Sequence, residues 1–260
     1  MATTLIALIT DFGWRDGYVG AVKGVIMTLN PEVKILDVAH EIPSHDILAG
    51  AMVLEGVFDY FPPKTVFLTV VDPGVGSKRR GLVVEVEGKY LVGPDNGLFT
   101  FVLRRRSFKA YEIRNKEYLL PQISTTFHGR DVFAPVAAHL SLGVKPQQFG
   151  PMVESTELAF LPLIEPVQTP EGIQGEVIYV DRFGNLITNL KPADLPQGSF
   201  IIEVEGEIIR EMKSTYEEGE LGEVIALWGS HGRLELATKR RSLALEKGWG
   251  VGTKVKIKKP

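Results

Sequence analysis

Cysteine is absent from this chain. Its absence excludes disulfides, thiolate metal sites and a cysteine nucleophile. Histidine is sparse, with five residues, and no HExxH or HxH pairing sets two of them at metal-ligand spacing, so no metal is expected. Positive charge is not in excess either: 29 Lys and Arg stand against 32 Asp and Glu, a formal net charge of −3. Nucleic acid is therefore not an expected partner, because phosphate binding leaves a basic footprint. The one locally basic run, Lys254-Val255-Lys256-Ile257-Lys258-Lys259, alternates like an edge strand with a solvated lysine face. No apolar run approaches the ~20 residues that span a bilayer, so no membrane partner is expected. Met1-Ala2-Thr3-Thr4 leads into Leu5–Ile9 without a basic leader, and the expected compartment is the cytoplasm. Internal repeats and low-complexity tracts are missing as well.

What is present has the balance of an ordinary globular protein: 260 residues, 44% hydrophobic and 23% charged, enough for one large domain or two modest ones. Leu5–Thr10 is a short apolar run, as in a strand buried on both faces. Tyr18–Leu29 puts Val22, Ile26 and Leu29 on one helical stripe and stops at Asn30-Pro31. Val33–Val38 reads as a second strand, Asp46–Tyr60 as a second helix and Thr65–Val71 as a third strand. This β-α-β-α-β order predicts a mostly parallel sheet with helices on both faces. A hairpin around Glu87-Gly88 and a helix over Asp131–Leu142 follow. Prolines at 146, 151, 162, 166 and 170 then break the periodicity, and beyond them the pattern is short strands, from Gly175–Val180 to Lys254–Ile257. The fold class is α/β: an α/β domain over residues 1–165, then a smaller all-β, barrel-like domain over 166–260.

In open α/β sheets, ligands sit beyond the carboxyl ends of the strands. Asp11 and Asp72 each follow a predicted strand and are followed closely by glycine, which lets backbone approach a ligand. A lone aspartate there would serve as a turn former or helix cap; two together point to a site. Gly74-Val75-Gly76 is neither a dinucleotide fingerprint nor a P-loop. Arg79 and Arg80 follow, and either guanidinium could fold back on Asp72, keeping it ionised and fixed in direction, or be a surface neighbour. His128 lies in a loop beside glycine, free to act as a base, whereas His139 falls on a helical apolar stripe and reads as packed. Asp181-Arg182-Phe183-Gly184-Asn185 sets an aromatic face beside an amide, which suits either a purine reader or an ordinary turn. Ser230-His231-Gly232 is a further polar turn.

Five segments occur in the order of one family: Thr10-Asp11-Phe12-Gly13, Val71-Asp72-Pro73-Gly74-Val75-Gly76, Gly93-Pro94-Asp95-Asn96-Gly97-Leu98, Phe127-His128-Gly129-Arg130-Asp131 and Asp181-Arg182-Phe183-Gly184-Asn185. Across essentially its whole length the chain resembles the S-adenosyl-L-methionine hydroxide adenosyltransferases, relatives of the 5′-fluorinase and 5′-chlorinase. The resemblance implies a homotrimer, with substrate held between the N-terminal domain of one subunit and the C-terminal domain of its neighbour. It implies that Asp11 holds the ribose hydroxyls, that Phe183 and Asn185 frame and read the adenine, and that Tyr216 stacks on the base. Asp181 and Ser230 would hold the amino-acid end of methionine, and Asp72, Arg79 and His128 would form the catalytic trio. The resemblance also implies that S-adenosyl-L-methionine is itself the substrate, with no separate cofactor. The halogenases carry tyrosine where Asp72 and His128 stand and serine at Gly129; His45 replaces one of their tryptophans and His231 one of their arginines.

These residues suit water as nucleophile. A sulfonium leaves as a neutral thioether, so no general acid is required. Water does need a partner for its proton, which His128 or Asp72 could supply, while alignment with the C5′–S bond lowers the entropic barrier. A halide beside the same carboxylate would be repelled by about 4 kcal/mol at 4 Å and an effective dielectric near 20. The expected activity is hydrolysis to adenosine and L-methionine. Its rivals are halide transfer on the same fold, a non-catalytic adenosine or S-adenosylmethionine sensor, and a nucleoside hydrolase that releases adenine.

Overall fold

Leu5–Thr10 forms β1, and burial on both sides explains its unbroken apolar sequence. Ile6 and Leu8 join a cluster with Val22, Ile26 and Phe133, while Ala7 and Ile9, equally buried, face the other way. The computed structural model describes residues 5–162 and 164–259, so Met1–Thr4 lies outside the described residues. α1 (Tyr18–Leu29) turns Val19, Val22 and Ile26 inward. β2 (Lys34–Ala39) pairs in parallel with β1, and its register slips by one residue between Leu8 and Ile9. α2 (Ile47–Phe58) starts at Asp46, whose carboxylate accepts the Ala49 N–H at 2.9 Å. β3 (Val66–Val70) lies on the other side of β1.

β4 (Gly81–Val86) and β5 (Lys89–Pro94) form a hairpin whose turn residues Glu87 and Gly88 take φ of 48° and 72°, the left-handed pair that a tight hairpin turn requires. α3 (Thr100–Leu103), β6 (Phe108–Glu112), α4 (Ala134–Ser141) and β7 (Met152–Val153) complete this unit. The sheet runs β2-β1-β3-β5-β4-β6-β7, parallel from β2 to β5 and antiparallel thereafter. α1 and α4 pack together over one face, α2 and α3 over the other. The helix expected over Asp131–Leu142 begins instead as a π-turn over Gly129–Phe133, and α4 continues from it.

The chain divides into two compact units, Met1–Leu161 and Pro162–Pro260. The second holds β8 (Val167–Thr169), β9 (Gly172–Val180), β10 (Leu186–Thr188), β11 (Ile201–Val204), β12 (Glu207–Ile209), β13 (Ile225–Trp228), β14 (Leu234–Ala237), the short α5 (Leu243–Lys247) and β15 (Lys254–Lys258). Its order is β12-β11-β15-β9-β10-β14-β13, with β8 on β9, and every pairing is antiparallel. The first half of β9 pairs with β15 and its second half with β10, which bends the sheet into a nearly closed barrel around Val177, Leu186, Val204, Leu234 and Val255. β15 corrects one expectation: it is not an edge strand but lies between β11 and β9. Its lysines are solvated on one side and paired on the other, Lys254 with Glu176 and Lys258 with Glu203 at 2.7 Å and Glu171 at 2.9 Å. Opposite charges on neighbouring strands let a lysine-rich strand sit inside a sheet.

Candidate functional site

Asp11 follows β1 directly and Asp72 stands two residues past β3, so both occupy the carboxyl ends of adjacent parallel strands. They line a cleft of about 340 Å³ with Phe12, Tyr18, His45, Phe127 and His128. The Asp11 carboxylate accepts the backbone N–H of His45 at 2.9 Å. Behind Asp72, the Arg79 guanidinium donates through Nε to both carboxylate oxygens at 3.0 Å and through Nη2 to Oδ2. The same Nη2 reaches His128 Nδ1 at 2.9 Å, and the guanidinium also lies 5.1 Å over the Phe133 ring. Arg80 turns elsewhere, to Asp95 at 2.9 Å and to the Glu157 carbonyl. Of the two adjacent arginines, Arg79 is thus the one on Asp72.

The tautomer of His128 follows from this geometry. A guanidinium can only donate, so Nδ1 accepts and a neutral ring carries its proton on Nε2. Burial and the charge of Arg79 hold the imidazole below its usual range, with Asp72 and Asp131 only partly opposing them. The loop before His128 is fixed from two sides. Gly76 (φ 77°) lies so close to Thr125 that a Cβ would collide with its carbonyl oxygen. Asp131, fully buried, accepts the Ser124 N–H at 2.8 Å and is gripped by Arg130 at 2.5 and 2.9 Å. Asp131 therefore ties down the loop. His139 packs against Tyr118, and burial lowers its pKa.

In the C-terminal unit, Asp181, Phe183, Asn185, Tyr216, Ser230 and His231 line a second pocket of about 740 Å³. Asp181 organises its own loop: Oδ1 accepts the N–H groups of Phe183 (2.9 Å) and Asn185 (2.8 Å), and Oδ2 accepts the Asn185 amide (3.0 Å). Gly184 (φ 82°) leaves room for Ser242, and the Phe183 ring is left 75% exposed. An aromatic face held open beside a fixed amide suits a flat heterocycle. Glu235 also lines this pocket and was not singled out from the sequence. The Tyr216 hydroxyl donates to it at 2.6 Å; burial, aided by Asp181, raises the Glu235 pKa against that hydrogen bond. Its one signal was a carboxylate inside the apolar strand β14. Among the described residues, no three His, Asp or Glu converge as a metal site would require, and no helix is long and apolar enough to cross a membrane.

Comparison with known proteins matches the chain to one family. The model described as SAM hydroxide adenosyltransferase N-terminal domain matches residues 6–150, and that of the C-terminal domain matches residues 175–256. A Thermus thermophilus protein named (R)-S-adenosyl-L-methionine hydrolase is 41% identical, with 97% of this chain and 98% of that protein covered. A fluorinase from Nocardia brasiliensis is 28% identical, with 98% and 96% covered. The crystal structure of an uncharacterized conserved protein from Thermotoga maritima superimposes with a TM-score of 0.87 at 33% identity, covering 98% of this chain and all (100%) of that one.

Proposed function

The chain belongs to the SAM hydroxide adenosyltransferase family, and from that membership we propose that it hydrolyses S-adenosyl-L-methionine to adenosine and L-methionine. The observation that carries this reading is the Asp72–Arg79–His128 cluster, whose outer members open on the N-terminal cleft. Water held between Asp72 and His128 attacks C5′ in line with the departing sulfur. His128 presents Nε2–H to the attacking oxygen, because its other nitrogen is occupied by Arg79. The proton therefore goes to Asp72, the acceptor left in the cluster. Arg79 is a positioning residue, aligning both partners from behind. The C–S electrons leave with sulfur as a neutral thioether, so the reaction needs neither acid nor metal nor organic cofactor.

Asp11 takes the ribose hydroxyls, Phe183 and Tyr216 hold the faces of the adenine and Asn185 reads its edge. Asp181 and Ser230 take the amino-acid end. The working form is a homotrimer acting in the cytoplasm, each site shared by the N-terminal unit of one subunit and the C-terminal unit of its neighbour. The name of the Thermus relative specifies the R configuration at sulfur, and we extend that preference to this chain. Asp72 stands against the halide alternative, since a carboxylate facing the nucleophile repels an anion, a repulsion that its ion pair with Arg79 reduces. The deciding experiment supplies each sulfonium epimer in ¹⁸O-water and analyses the products. Adenosine labelled at the 5′ oxygen, formed without halide, is expected. Free adenine, halide-dependent haloadenosine, or tight binding without turnover would each overturn the reading.

A further inference from the structure

The carboxyl end of β2 holds a chain of polar groups, buried at its inner end, that the proposed reaction does not use. The His40 side chain is fully buried (0% exposed), and its Nε2 lies 2.9 Å from Asp37 Oδ1. Its Nδ1 lies 2.7 Å from Thr10 Oγ1, and Thr10 Oγ1 accepts the backbone N–H of Phe12 at 3.3 Å. At the outer end Lys23 Nζ grips Asp37 Oδ2 at 2.6 Å. The one-residue slip in the β1–β2 register, between the Leu8–Asp37 and Ile9–Ala39 pairs, occurs where these side chains converge. Trp14 packs nearly perpendicular to the imidazole, with ring centroids 4.6 Å apart, and Lys23 lies 5.6 Å over the indole.

With a neutral His40 ring the chain has one consistent polarity. The Lys23 ammonium and the Phe12 amide can only donate, and an ionised carboxylate can only accept. Burial acts to raise the Asp37 pKa, but the hydrogen bonds from Lys23 and His40 outweigh it and keep the group ionised. Asp37 thus accepts a hydrogen bond from His40 Nε2–H, His40 Nδ1 accepts the Thr10 hydroxyl, and Thr10 Oγ1 is left to accept from Phe12. The His40 carbonyl also accepts the Gly13 N–H at 2.7 Å, so both flanks of Asp11 are tied to the end of β2.

We propose that Thr10 and His40 are positioning residues that set the direction of the Asp11 carboxylate, and with it the grip on the ribose hydroxyls. This rests on the reading of Asp11 as the ribose ligand. The peptide joining Asp11 to Phe12 is the last link of the relay, so its loss would loosen the backbone that carries the carboxylate and leave the His45 N–H as its remaining hydrogen bond in the structure. A hydrogen-bond chain whose inner members, His40 and Thr10, are buried and satisfied specifies one geometry, and removing one of them releases the rest.

The test compares adenosine with 2′,3′-dideoxyadenosine, which offers Asp11 nothing to hold, by calorimetry on the intact protein. Thr10→Val keeps the shape and strand preference but removes the hydroxyl. It should weaken adenosine about tenfold while leaving the dideoxynucleoside within about twofold. Thr10→Ser should restore wild-type discrimination. Asp37→Ala, at the partly exposed outer end, should shift adenosine in the same direction by less, and answers the question if Thr10→Val folds poorly. With S-adenosylmethionine the same variants should raise KM and leave kcat nearly unchanged. Equal weakening of both nucleosides, unchanged adenosine affinity, or a wild type that binds the two alike would overturn the proposal. Absence of turnover in a wild type that still discriminates between them would overturn the hydrolase reading alone.

Discussion

At the scale of single residues, the most consequential contact is the guanidinium that touches both a carboxylate and an imidazole. Arg79 bonded to Nδ1 makes neutral His128 a donor toward the cleft. Protonating the ring would set a second N–H against Arg79 and break the cluster. Because burial and Arg79 depress the folded pKa, the neutral form prevails at neutral pH. The contribution of His128 to stability is therefore complete above its unfolded pKa of about 6.5. It is lost as the pH falls through the depressed folded value. The acid limb of kcat/KM should accordingly have a midpoint below about 6.5, with a level rate from there to mildly alkaline pH. A pH–rate profile alongside thermal melting checks this; an activity that rises only above neutrality would contradict it.

Among the elements, two loops converge on the cleft, and glycine permits their approach. Gly76 combines a left-handed φ of 77° with backbone contact to Thr125, whereas Gly198 has a φ of 97° and open space around its Cα. Gly198→Ala should lose about 1 kcal/mol for backbone strain and keep its activity. Gly76→Ala carries the same strain plus a collision that displaces the loop before His128. Its kcat should fall about 100-fold, as for a catalytic group moved by ~1 Å, with a larger drop in melting temperature. Steady-state kinetics and melting of the pair separate the two effects. The same contrast shows what the sequence could disclose. Leu5–Thr10 and Tyr18–Leu29 were legible to the residue, because burial on two faces or on one stripe writes a period into the chain. The paired strand-end aspartates were visible for the same reason. Asp131 was not, since its role depends on the Ser124 amide reached across a loop. Nor were Glu235 and His40, buried polar residues whose partners come from other elements. β15 was misplaced because the charges that neutralise its lysines lie on strands distant in sequence.

For the whole molecule, the decisive feature is that the proposed site residues fall on two units. Asp72, Arg79 and His128 belong to Met1–Leu161, while Phe183 and Asn185 belong to Pro162–Pro260. A catalytic cluster with no base reader, and a base reader with no cluster, each have little activity alone. In the proposed homotrimer, a closed ring of three, every site would draw its cluster from one subunit and its reader from the next. This makes a quantitative expectation. Asp72→Ala and Asn185→Ala proteins should each be nearly inactive as pure trimers. Unfolded together in equal amounts and refolded, they assemble at random. A site is then intact when its cluster comes from an Asn185→Ala chain and its reader from an Asp72→Ala chain. Each choice has even odds, so activity should return to roughly one quarter of that of wild type refolded in the same way. A site contained within single chains gives no recovery on mixing, because every chain carries one lesion. Simple blending of the two preformed trimers should also give none until subunits exchange. The time course of recovery on blending therefore reports how tightly the ring is held, and its endpoint reports who shares the site.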